Sequence, residues 1–321
     1  MFKDKIIEVY KQNLFNRCDD NGAVFYFSDH DFKNIKKEKY NFKSSKNHLL
    51  NGYLYYYENY KPNTLVVFDH GMGGGHLSYF KEIELLARHG YLVLAYDHTG
   101  CMESGGKNTS GFAQSLCDLN DCIISLKNNE RFKDYNYYVI GHSWGAFSTM
   151  NITKFHPDVK KIVAISGFIS VENILKQTFK GLLKCVYNDI FAIEKESNPN
   201  FVNVNACDSL KDYTGKALLI YSKDDKVVNY KFHYCPLYSE LSNMNNISFL
   251  LVNNKNHNPN YTIEAVKYKD EFFKFYTKQL KKNKLNTISQ KEEFKKSFNW
   301  NKMTEQDDSI WKEIFKVLDN E

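Results

Sequence analysis

Residues 136–150 read NYYVIGHSWGAFSTM. The run 137–140 is aromatic and β-branched, as in a buried strand, and it enters Gly141-His142-Ser143-Trp144-Gly145 where a helical pattern begins. A lone serine between two glycines at that junction has two explanations. Either the turn is so tight that only glycine fits on each side, or the turn exists to hold the serine up. G-x-S-x-G between a strand and a helix predicts the second, a strained turn that exposes the hydroxyl.

A serine hydroxyl is a poor nucleophile without a base, a group that orients the base, and donors for the oxyanion. FDHGMGGGH, residues 68–76, follows an apolar run upstream of the serine. Its glycines let backbone approach a substrate closely, at Gly71 above all, and aim an N–H inward. The Met72 N–H and the Trp144 N–H are the expected pair of donors. KALLIYSKDDKVVNY ends an apolar run on Asp224 and Asp225. The Val-Val register that follows favours Asp225 as the orienting acid, with Asp224 as the alternative. ISFLLVNNKNHNPNY ends the last such run and offers His257 as the base, able to exchange a proton near neutral pH. His233 falls within an expected helix, and His70 and His142 belong to the turn motifs, so they are read as structural.

Outward from these motifs, 36–45 and 49–58 read as an antiparallel strand pair turning at Lys46-Asn47-His48. Short continuous apolar runs then alternate with helical patterns: NTLVVFDHG (63–71), YLVLAYDHTG (91–100), NYYVIGHS (136–143), VKKIVAISGF (159–168), KALLIYSKDD (216–225) and NISFLLVNNKNH (246–257) read as strands, with Gly90 stopping the helix over 77–89. Unalternating runs fit strands buried on both faces. The expected fold class is therefore α/β, a mostly parallel sheet with helices on both faces.

Two segments interrupt the alternation. Residues 170–213 are too long for a simple crossover and carry Ile174, Leu175, Phe179, Leu182, Leu183, Val186 and Ile190 at helical spacing. Beyond 283, TEQDDSIWKEIFKVLD carries Ile310, Trp311, Ile314, Phe315 and Leu318, with Thr304 as the expected cap. The tail, with Trp300 and Trp311, also reads as a partner-binding helix and leaves a homodimer open.

The 321 residues are 42% hydrophobic and carry a net charge of +5, with acids and bases mixed along the chain. The densest basic stretch, 278–284, continues a helix expected at 262–282 and reads as a solvated face. No zinc-finger spacing or basic region points to nucleic acid. Seven cysteines with no CxxC pair, no signal-peptide pattern and no apolar run near the ~20 residues of a membrane span give the expectation of a cytoplasmic protein with reduced thiols.

Through FDHGMGGG, GYLVLAYDHTGCMESGG, GHSWG and the Asp225 and His257 loops, the chain resembles the α/β-hydrolase superfamily over residues 40–280. Within it, the likeness is to the bacterial serine aminopeptidase and monoglyceride-lipase-like branch. Asp97, His98, Gly100 and Ser104 match that branch's D-x-x-G-x-x-x-S segment. The resemblance implies one α/β-hydrolase domain, an eight-stranded sheet, 170–213 as a helical cap, a Ser143-Asp225-His257 triad, and no metal or organic cofactor. Aminopeptidase members hold the substrate amine with a carboxylate in the cap. Glu172 and Glu194 are the candidates here, and the HGMGGG loop departs from those members' HGGPG type. The expected activity is cleavage of a small to medium apolar carboxylic ester or thioester, with Phe179 and Leu183 of the cap contacting the acyl group. Peptidase, amidase and acyltransferase activity, or a non-catalytic ligand receptor, are the alternatives.

Overall fold

A computed structural model describes residues 2–19 and 27–320. Eight strands form one sheet: β1 (Lys36–Lys39), β4 (Gly52–Tyr56), β5 (Thr64–Asp69), β6 (Leu92–Tyr96), β7 (Asn136–His142), β8 (Lys161–Ile165), β9 (Lys216–Ser222) and β10 (Ile247–Val252). Their spatial order is β1-β4-β6-β5-β7-β8-β9-β10. Only β4 runs against the rest, antiparallel to both β1 and β6, and every later pairing is parallel. β2 (Phe42–Lys43) and β3 (Leu49–Leu50) close the hairpin expected around Lys46.

Side chains alternate across each strand. Leu65, Val67 and Val139 face one layer, with helices α3 (Gln114–Lys127) and α4 (Trp144–Asn151). Val66, Phe68, Tyr138 and Ile140 face the other, with α2 (Phe80–Arg88) and the final helix, α12 (Asp308–Asp319). Both faces are covered, which is why the strands read as unbroken apolar runs.

The final helix corrects two expectations. Its cap is Asp307, whose carboxylate accepts from the Ser309 N–H, and Thr304 instead follows the short helix α11 (Trp300–Met303). Its stripe of Ile310, Trp311, Ile314 and Leu318 is buried on the chain's own sheet, so it is not a surface left for a partner. Lys61, His89 and Tyr91 all bind Asp319 and hold its far end.

The segment 170–213 is helical but broken. Ser170 caps α5 (Val171–Thr178) by accepting from the Asn173 N–H; Phe179 and Lys180 then leave the helical conformation, and Gly181, at φ +59°, opens a 3-10 stretch that leads into α6 (Tyr187–Ser197). The break throws Leu182 into solvent at 90% exposure, whereas Ile174, Leu175, Phe179, Val186 and Ile190 are buried in the body. α7 (Ala206–Lys211) completes the insertion against α4 and α8 (Tyr230–Leu241). Among the described residues no helix is long and apolar enough to cross a membrane.

Candidate active site

Ser143 sits between β7 and α4 with φ 56° and ψ −110°, a conformation that L-residues rarely adopt. Both flanking glycines are obligatory. A Cβ at Gly141 would overlap the Gly145 carbonyl, and one at Gly145 would overlap the carbonyl of Asp69 at the end of β5. The two explanations of the turn are thus one: tight packing on both sides holds the serine in its strained, raised position.

Ser143 Oγ lies 2.8 Å from His257 Nε2, and His257 Nδ1 lies 2.8 Å from Asp225 Oδ2. An ionised carboxylate only accepts, so Nδ1 carries the imidazole proton and Nε2 presents a lone pair to the serine hydroxyl. Asp225 is 2% exposed, and its other oxygen accepts the N–H groups of Val227 and Val228 at 2.8 and 2.9 Å. Those two bonds are the physical content of the Val-Val register. Asp224 does something else. It accepts from Ser222 Oγ and from the backbone N–H groups of Lys255 and Asn256, pinning the β9 loop to the histidine loop. Together these bonds hold its carboxyl below its usual range against the opposing effect of burial.

The histidine loop is tied down from two more directions. His142 donates from Nε2 to the His257 carbonyl at 2.7 Å and accepts from Tyr79 Oη at Nδ1, 2.9 Å away. Burial drives its pKa well below the ordinary value, which keeps this neutral tautomer. From outside, Lys255 pairs with Asp307, and the Asp307 N–H donates to the Asn260 carbonyl. The loop of His257 is thus held by the cap residue of α12.

Met72 lines the cavity in front of Ser143. Trp144 is the first residue of α4, where a backbone N–H has no intrahelical acceptor. Its indole is buried and donates to the Phe112 carbonyl at 2.6 Å. Behind the loop, His70 donates to the Gly71 carbonyl and accepts the His98 N–H. His98 lies between Asp69 and Asp118; burial opposes its charge, yet the two carboxylates lift its pKa to about 10. Asp97 binds His76, and Ser104 Oγ donates to the Asp97 carbonyl. These matched residues brace the site from behind. Cys101 is fully buried beside Cys18 and does not line the cavity.

The cavity at Ser143 has a volume of about 230 Å³. Its walls come from the Gly71–Gly74 loop, from α9 (Ile263–Lys281) and from the tail: Tyr79, Tyr261, Phe272, Phe273, Trp300 and Met303. Phe179 and Leu183, expected as substrate contacts, are not among its lining residues. Phe179 is packed edge-on to Tyr10 and lines a separate hollow with Lys176, Lys180, Lys184, Tyr187 and Phe232. The stripe of α5 is spent on docking the insertion, which is why it stays away from the serine. Glu172 pairs with Lys176 on the surface, and Glu194 is buried against Tyr10 Oη and the Phe112 N–H. Neither reaches the cavity.

The residues missed in the sequence are Tyr79, Lys269 and the aromatic wall. A signal existed: α9 begins soon after His257, and Lys269, Phe272 and Phe273 stand at i, i+3 and i+4 on one face.

An eight-stranded sheet with one reversed strand, a nucleophile-type turn after its fifth strand and the aspartate and histidine loops after its last two decide the architecture. By fold, the chain is an α/β-hydrolase. A family model described as "Serine aminopeptidase, S33" matches residues 60–200 of the chain. An uncharacterized Bacillus subtilis protein, YqkD, is 29% identical over 139 residues, 43% of this chain and 44% of that relative, so the match spans less than half of either. Among solved structures, the esterase Pf2001 of Pyrococcus furiosus is similar over 89% of this chain and 98% of its own, at 20% identity and a TM-score of 0.59. Est1E of Butyrivibrio proteoclasticus, solved with ferulic acid, is similar over 75% and 99%, at 18% identity and a TM-score of 0.55. Likeness at these identities is likeness of fold.

Proposed function

We propose that this α/β-hydrolase is a serine hydrolase cleaving a carboxylic ester or thioester of small to medium size through an acyl-enzyme. The observation that carries the reading is the continuous hydrogen-bond chain from Ser143 Oγ through His257 to Asp225. In it, His257 Nε2 takes the Ser143 proton as Oγ attacks the substrate carbonyl. The Met72 and Trp144 N–H groups receive the oxyanion. The imidazolium, steadied by Asp225, returns the proton to the departing alcohol or thiol. Water then repeats the sequence, His257 taking its proton, and releases the acid.

The cavity favours an ester over a peptide with a free amine. Among the described residues its lining holds no carboxylate to bind an ammonium group. Its aromatic walls suit an apolar or ring-bearing group, and about 230 Å³ lies below the ~300–1,000 Å³ of pockets for larger ligands. A fluorophosphonate tests the reading directly. Intact mass should show one adduct on the wild type and none on Ser143→Ala, with p-nitrophenyl acetate turnover lost in the same variant. A wild type that takes no label and turns over no ester would instead be a ligand receptor.

A further inference from the structure

The cavity holds one charge that the acyl-transfer steps do not use. Lys269 projects from α9 into the wall that also carries Phe272 and Phe273. Its Nζ donates to Asn258 Oδ1 at 3.0 Å and lies 5.1 Å from the centre of the Tyr261 ring. Asn258 is the residue after His257, so this cation stands beside the base's own loop. No carboxylate of the described residues lies within ion-pair distance of it; its contacts are an amide oxygen and an aromatic face.

Lys269 is half-buried, and an ammonium group set against aromatic walls loses part of its hydration, a cost that an anion meeting it would offset. Burial pulls the Lys269 pKa below its ordinary value, while Glu82 and Asp270 pull the other way. Glu82 is a weak counter-charge. It is buried behind Tyr261 and Asn260, burial pushes its own carboxyl upward, and one of its oxygens has no hydrogen-bond partner. The other titratable groups of the lining are His142, His257, Tyr79 and Tyr261, none of which supplies an anion at neutral pH.

We propose that the substrate of this site is an ester or thioester whose cavity-bound part is an aromatic or similarly compact apolar group ending in a carboxylate, with Lys269 as the residue that selects the anion. The inference rests on the hydrolase reading and adds the substrate class to it. The apolar body fills the space between Phe272, Phe273 and Trp300, and the carboxylate replaces the missing protein anion at Nζ. A cation in the cavity is opposite in sign to the carboxylate with which an aminopeptidase holds its substrate's amine.

Matched esters give the test. On the acyl side, p-nitrophenyl 4-carboxybenzoate is compared with p-nitrophenyl 4-methylbenzoate. On the alcohol side, 4-carboxyphenyl acetate is compared with 4-methylphenyl acetate. The expected result is a kcat/KM ratio of anionic to neutral ester of about tenfold to a hundredfold in at least one pair, the range of a charge-assisted hydrogen bond. Lys269→Met should bring that ratio towards one, and Lys269→Arg should retain most of it. In the wild type, added salt should also lower the ratio, a readout that needs no variant. A merely structural lysine would depress both members of a pair together and leave the ratio unmoved. Ratios near or below one in both pairs, or a wild-type ratio insensitive to salt and to Lys269→Met, overturn the proposal. If the neutral esters are still hydrolysed and Ser143 is still labelled, only the substrate class has failed. If neither happens, the hydrolase reading has failed first and takes this inference with it.

Discussion

The insertion at 170–213 and the tail beyond 283 present the same feature in sequence, an apolar stripe at helical spacing, and use it in different ways. The insertion buries its stripe in the body and leaves only Leu182 in solvent. The tail divides its apolar residues between the sheet, through Trp311 and Ile314, and the cavity, through Trp300 and Met303. A stripe therefore says that a helix packs and not what it packs on. The segment that looked like the roof of the site is a buttress, and the segment that looked like an appendage is a wall.

The proposed triad sets the largest effect against which both regions are measured. Asp225→Asn should lower kcat on p-nitrophenyl acetate by about 10⁴-fold, because the imidazole loses its tautomer and its counter-charge. Asp224→Asn should cost less than about tenfold, through a looser histidine loop. If the two rank the other way, the bonds from Val227 and Val228 do not mark the working carboxylate.

The contrast between buttress and wall comes next. Phe179→Ala should cost ~3 kcal/mol of stability in urea unfolding, as expected for a buried aromatic, and leave the kcat/KM of the folded protein within about twofold. Trp300→Ala should do the reverse. It should lower kcat/KM on an aryl ester by about tenfold to fiftyfold, with little loss of stability, since a half-buried ring facing the cavity contributes ~1.5–2.5 kcal/mol of apolar contact. A fall in aryl-ester efficiency as large for Phe179→Ala as for Trp300→Ala would erase the distinction between the two regions.

The smallest effect is one of pH and concerns the insertion. Burial raises the Glu194 carboxyl from the usual 4.5 to about 7, against the opposing bonds from Tyr10 and Phe112. The folded state thus holds this proton more tightly than the unfolded chain does. Its contribution to stability is complete below pH 4.5 and is lost as pH rises through 7. The expected loss between pH 5 and pH 8 is on the order of 2 kcal/mol, a few degrees in Tm. Glu194→Gln should flatten that slope, and an unchanged slope would place the pH dependence elsewhere.

Much of this was legible before any coordinates. The strand runs, the Gly-flanked serine, the Val-Val pair after Asp225 and the loop position of His257 each carry a local requirement, a strained turn or a strand end, that the chain cannot hide. The cavity wall was less legible because it is assembled from residues far apart in sequence. Phe272, Trp300 and Met303 meet only in three dimensions, and each alone resembles any half-buried aromatic or thioether. The break after Thr178 is hidden for a related reason: the spacing of Leu182 and Leu183 is that of a helix, and two residues in non-helical conformation, Phe179 and Lys180, undo it.

The clasp between Asp307 and the histidine loop has a consequence in time. Ser143 leaves the ribosome 164 residues before Asp307, which secures the loop of His257. At roughly 5–20 residues per second, the nucleophile waits on the order of ten seconds or more for that clasp. Until then the loop that carries His257 lacks its tie to Asp307, so on the proposed reading the hydrogen-bond chain to Ser143 can be fully braced only after residue 307 has been made.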